Sequence, residues 1–194
     1  MTVGGGTTAE EVMKAIACPT TTLEDAGRKL AFFLSRKDAT QVLELLRHCP
    51  PLALCTFPSG KGHAIHWYPL VFLLTNPNVS LEIVEAVHEL NPAAMATPIG
   101  STNAYPLHVA CQYGVKADVI DFMVQQFPSA VSTFNQHGNL PLHNAMQSEF
   151  RPASLETLQA LLEVYPASLT LRNATGKSPL LYALSHGYEP PILD

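Results

Sequence analysis

The sequence predicts an all-α protein, a helical solenoid of stacked helix–turn–helix repeats. Three observations lead there. The tetrapeptide Tyr105-Pro106-Leu107-His108 returns as Leu140-Pro141-Leu142-His143. Tyr68-Pro69-Leu70-Val71 lies upstream and Ser178-Pro179-Leu180-Leu181 downstream, so the four prolines stand 37, 35 and 38 residues apart. A second mark keeps the same beat: Asn91-Pro92-Ala93-Ala94, Phe127-Pro128-Ser129-Ala130 and Tyr165-Pro166-Ala167-Ser168, with Cys49-Pro50-Pro51-Leu52 as a weaker copy. Finally, 47% of the residues are hydrophobic, enough for a core shared along a row of units, none of which could bury its apolar faces alone.

Each element follows from local chemistry. Proline suits the first position of a helix, where its missing N–H would have no partner. Helices are therefore expected to open at Pro69, Pro106, Pro141 and Pro179. Behind Pro106, the residues Leu107, Ala110 and Cys111 share one face, and Gly114 breaks the helix. A second helix is expected from about Ala117 to Phe127, with Val119, Ile120, Met123, Val124 and Phe127 in one stripe, stopped by Pro128. The unit before it has Leu70, Leu73 and Leu74, then Leu81, Ile83, Val84 and Val87. The unit after it has Leu142 and Ala145, then Leu155, Leu158, Leu161 and Leu162. A divergent first unit has Leu30, Phe33 and Leu34, then Val42, Leu43, Leu45 and Leu46. The fifth has one helix only, from Pro179 to about His186. Ser80 and Ser154 stand where N-caps belong. Gly138, in Asn135-Gln136-His137-Gly138-Asn139, supplies the positive φ of a turn. The chain thus divides into an N-terminal tail with a capping helix near 9–16 (1–27), repeats at 28–66, 67–103, 104–138 and 139–176, a half-repeat at 177–187, and a tail at 188–194.

The repeated unit resembles the ankyrin repeat. Pro106-Leu107-His108-Val109-Ala110 and Pro141-Leu142-His143-Asn144-Ala145 match that family's Thr-Pro-Leu-His element and the small residue after it. Leu81-Glu82-Ile83-Val84 matches the start of its second helix. Its turn pattern appears as Asn135 to Pro141 and as Asn173-Ala174-Thr175-Gly176-Lys177-Ser178-Pro179. The resemblance spans about residues 28–187, with departures: Tyr68, Tyr105 and Leu140 replace the threonine before proline, only Ser178 keeps a hydroxyl, and an aromatic-Pro-x-Ala element replaces Gly-Ala-Asp-Val. What it implies is a non-catalytic protein–protein interaction module, an adaptor or an assembly subunit. A protein partner would meet the turn tips and the exposed ends of first helices. Matching positions are Gln136, His137, Asn139, Ala174, Thr175 and Lys177 on turns, and Gln112, Tyr113, Gln147 and Ser148 on first helices. The motif residues Pro69, Leu70, Pro106, Leu107, His108, Pro141, Leu142, His143, Pro179 and Leu180 would hold the repeat together. In the family, the imidazole bonds neighbouring backbone and ties one repeat to the next.

Other functions find little support in the residues. The net charge is −5, and Arg36-Lys37 is the longest basic run, so no surface for nucleic-acid phosphates is expected. The apolar run from Trp67 to Leu74 is too short to cross a bilayer, and Met1 to Glu11 lacks a secretory layout, so no membrane insertion is expected. Thr2 breaks the myristoylation pattern. Cys18, Cys49, Cys55 and Cys111 show no framework spacing and suit reduced thiols in the cytoplasm or nucleus. Cys111 reads as a small core residue.

Cys49, Cys55, His63 and His66 form C-x5-C-x7-H-x2-H, off the usual zinc intervals of about two to four and three to five residues. No metal or cofactor is expected; the alternative is an exposed loop over 52–66. Ser59-Gly60-Lys61-Gly62 lacks the leading glycine and trailing hydroxyl of a phosphate loop. His108 and His143 have no nucleophile beside them in any recognisable motif. Trp67 reads as a cover for the core, with a binding loop as the alternative. Two rival roles remain beside the interaction module: a targeting or regulatory segment of a longer enzyme or receptor, and metal binding by the 49–66 loop.

Overall fold

A computed structural model describes residues 23–36, 38–58, 66–148 and 153–185. Within them the protein is all-α apart from one short ribbon. Its helices are α1 (Leu23–Arg36), α2 (Ala39–His48), α3 (Pro69–Leu73), α4 (Leu81–Leu90), α5 (Pro106–Tyr113), α6 (Ala117–Gln126), α7 (Pro141–Met146), α8 (Leu155–Val164) and α9 (Pro179–Ser185). The ribbon pairs β1 (Phe57–Pro58) with β2 (His66–Trp67), antiparallel. α1 opens ahead of the boundary placed at 28, and the helix expected near 9–16 lies outside the described residues.

Odd-numbered helices pack on odd, even on even, and each odd helix on the even one that follows. α1 meets α3, α3 meets α5, α5 meets α7 and α7 meets α9; α2, α4, α6 and α8 form the parallel series. Helices of five to fourteen residues are too short to persist alone in water, so this mutual packing is what keeps them folded. The core runs the length of the row. Leu70, Leu107 and Leu142, one turn position repeated three times, are at most 2% exposed. Leu180 occupies the same position in α9, yet it is 43% exposed, and Leu181 and Leu184 beside it are also exposed. No described element covers them, so the motif position alone does not bury a leucine.

Leu155 also departs from the expected stripe and is exposed, while Thr157, Leu158 and Leu161 are buried. At 100° per residue those three cluster on one face and leave position 155 on its flank. Ser154 caps α8 by accepting the Thr157 N–H at 3.3 Å, whereas Ser80 sits at the N-cap of α4 without such a bond. Trp67 stacks edge-on against Phe72, centroids 5.2 Å apart, and packs on the core.

The prolines that close each even helix do more than stop it. Cys49, Asn91, Phe127 and Tyr165 share one extended conformation, with φ from −130 to −148° and ψ from 71 to 78°. A residue before proline is excluded from the helical region. The following proline then starts a 3-10 turn: Pro50–Leu54, Pro92–Ala96, Pro128–Ser132 and Pro166–Leu169. These turns plug the row with buried residues: Leu52 and Ala53, Ala94 and Met95, Ala130 and Val131, and Ser168. The segment expected as an exposed loop from 52 is therefore corrected. Leu52, Ala53, Cys55 and Phe57 are buried, because the turn after Pro50 rolls them under α4.

Shortening Leu142, which is fully buried, should cost about 2–5 kcal/mol. Urea unfolding of Leu142→Ala is expected to show that loss; a midpoint equal to wild type would contradict the packing described.

Candidate functional site

The connections between units form turns we call fingers, and hydrogen bonds chain three of them. Each finger is closed from within. In 135–139, Asn135 Oδ1 accepts the N–H groups of His137 and Asn139 at 2.9 and 3.1 Å, and Asn135 N–H donates to Asn139 O. In 173–177, Asn173 Oδ1 accepts from Thr175 and Lys177, both at 3.0 Å. The short side chain of Asn thus mimics a backbone turn. The earlier finger, closed by a bridge between Ile99 and Ala104, uses Asn103 at φ 50° where its successors use Gly138 and Gly176 at φ 67 and 77°. Successive fingers then bond in one register: Gln136 N–H donates to Thr102 O at 2.7 Å, and Ala174 N–H donates to His137 O at 3.1 Å. Asn103 Nδ2 adds a bond to Phe134 O, and Asn173 Nδ2 one to Asn139 Oδ1.

The two motif histidines brace this ladder from below. His108 Nδ1 accepts the Tyr105 N–H at 3.1 Å, an otherwise unpaired donor at the start of α5. An Nδ1 that accepts leaves the proton on Nε2, which donates to Thr133 O and Asn139 O at 3.0 and 3.2 Å. His143 repeats the arrangement, from Leu140 N–H to Lys177 O, at 3.1 Å each. Burial outweighs the backbone acceptors, so the His108 pKa falls from 6.5 to about 4, and that of His143 falls as well. Both rings are held neutral and fully engaged. Further bonds between units come from Asn91 Nδ2 to Ala53 O at 2.7 Å and Asn144 Nδ2 to His108 O at 3.1 Å.

The expected contact residues divide on this frame. Gln112, Gln136, His137, Thr175 and Lys177 are exposed, the last four on two fingers joined by the ladder. The Gln136 amide lies 3.1 Å from the His137 ring, and Lys177 Nζ stands 5.2 Å from the centre of the Tyr182 ring. Tyr113 is half-buried and packs against the core; Gln147 and Ser148 are half-buried at the end of α7. Asn139 is spent on structure, through its bond from Asn173. Exposed Phe134 and Arg172 flank the fingers and were not singled out from sequence. Their signal was adjacency to the Asn-x-x-Gly pattern.

Of the four possible metal ligands, Cys49 and Cys55 are described in full. Cys49 and Cys55 are buried, and the Cys55 thiol donates to Pro51 O at 3.6 Å. Burial raises the Cys55 pKa and, further, that of Cys111, which disfavours the thiolates a metal needs. His63 and the side chain of His66 lie outside what is described, as does Cys18. Among the described residues no three His, Cys, Asp or Glu side chains gather round one point. Nor is any of their helices long and apolar enough to cross a membrane. A cavity of about 210 Å³ lies between α5, α6 and the start of α8, lined in part by Cys111, Ile120 and Thr157. Comparison with protein-family models and with curated proteins gives no match.

Two measurements test this frame. A methyl group on Gly138 would meet Ala174 N at 2.7 Å, whereas one on Gly176 would meet nothing within 4 Å. Both substitutions carry the left-handed cost of about 1–2 kcal/mol, so thermal melts should show Gly138→Ala well below Gly176→Ala. Equal losses would deny the close approach of the fingers. The second concerns pH. The unfolded chain takes up a proton near pH 6.5 that native His108 refuses until about pH 4. Stability therefore falls as pH drops through that window, by up to about 3 kcal/mol from this one ring. Urea titrations at pH 7 and pH 4.5 should show the fall in wild type and a smaller one in His108→Leu.

Proposed function

We propose that this chain is a non-catalytic protein–protein interaction module, an ankyrin-like solenoid acting as adaptor or assembly subunit. The observation that carries the reading is the row of exposed side chains on bonded fingers: Gln136 and His137 on one, Thr175 and Lys177 on the next. Fingers fixed by backbone bonds lose little freedom on binding, so contacts there are not offset by a large ordering cost. The packing of odd helices on odd and even on even suits the Pro-Leu-His and Leu-Glu-Ile-Val matches. The two histidines favour the same reading over catalysis, because each ring nitrogen already serves the backbone.

The test is an affinity capture with Gln112→Ala, Gln136→Ala and Thr175→Ala combined, beside wild type, after both are shown to melt alike. The expected result is a protein partner retained by wild type and lost by the variant. A partner held equally by both would move the interaction off the fingers.

A further inference from the structure

The charges of the second half of the molecule are segregated, and the segregation selects among partners. From residue 66 onward, every Asp and Glu among the described residues lies on α4, α6 or α8. Asp118, Asp121, Glu156 and Glu163 line one surface groove between α6 and α8. The fingers and the odd helices α3, α5, α7 and α9 carry no carboxylate side chain at all. They carry instead His137, Arg172 and Lys177, all exposed.

Local contacts hold these three cationic or ionisable groups on neighbouring fingers. Ala174 N–H reaches His137 O, Arg172 Nη1 donates to Gly176 O at 2.9 Å, and Lys177 rests over Tyr182. Phe134, 38% exposed, stands at the start of the finger that bears His137. Lys116, the other described cation of this half, caps α6 at the far end of α5. Fingers and odd helices without carboxylates among the described residues, on a protein of net charge −5, have a definite consequence. In this half of the chain an acidic partner is repelled by α4, α6 and α8 and attracted by the cations of the fingers, while a basic partner is drawn to those three helices.

Resting on the interaction reading above, we infer that the fingers receive an acidic peptide segment of the partner. Its carboxylates would face His137, Arg172 and Lys177, and an apolar side chain would meet Phe134. Arginine and lysine pair with carboxylates through charge-assisted hydrogen bonds. The backbone ladder fixes the spacing of the fingers that present them.

The experiment is selection of a random-peptide phage library on the intact chain, followed by titration of the selected peptides by fluorescence anisotropy. The variants are Arg172→Glu with Lys177→Glu, and Arg172→Gln with Lys177→Gln, each first shown to melt like wild type. Expected are Asp- and Glu-rich peptides whose affinity weakens with salt. They should bind about tenfold or more weakly to the charge-reversed pair, with the neutral pair between. Selection of neutral or basic peptides, or acidic ones indifferent to charge reversal, would overturn the acidic preference. If those peptides still lost affinity in the Gln112, Gln136 and Thr175 triple variant, the interaction reading would stand without it. Peptides insensitive to every finger substitution, or none selected, would count against both.

Discussion

Everything in this molecule depends on burial between neighbours. None of the described helices is long enough to hold itself, and no pair of them encloses a core. Each becomes stable when the pair before and the pair after close over it, which is why Leu70, Leu107 and Leu142 vanish from solvent while Leu180 does not. Leu180, which no described element covers, is 43% exposed. Position in the row, more than the identity of the residue, decides burial.

Upon that packing lies a second, polar system. Finger bonds to finger, and the buried imidazoles bond upward into the next finger. The two systems constrain each other. The rings stay neutral because packing desolvates them, and a neutral ring is what offers one acceptor to its own helix and one donor to its neighbour. The exposed side chains of the fingers thus inherit their positions from groups that never meet solvent.

Much of this was legible in the sequence, for reasons that can be named. Proline at the head of α3, α5, α7 and α9 set the helix starts, and the turns at Gly138 and Gly176 announced themselves through Asn-x-x-Gly. The 3-10 turns after Pro50, Pro92, Pro128 and Pro166 were not foreseen. Sequence shows that proline ends a helix, whereas what the chain does next depends on the apolar residues finding space under the neighbouring pair. The finger at 99–104 was equally hidden, since Asn103 takes the conformation that glycine signals elsewhere. Bonds such as Asn91 to Ala53 and Asn144 to His108 span 38 and 36 residues, beyond the reach of any local pattern. Of the candidate contacts, Gln136, His137, Thr175 and Lys177 came from the turn pattern. Asn139 looked equivalent to them, and only its partner Asn173 shows otherwise.

Val71 occupies in α3 the place that His108 and His143 hold in α5 and α7. The junction that follows α3 is therefore made mainly through apolar contact, while those that follow α5 and α7 add the imidazole hydrogen bonds. Apolar burial loses strength on cooling, and the hydrogen-bonded part does not share that dependence in full. Chilling is thus expected to weaken the junction after α3 before those after α5 and α7.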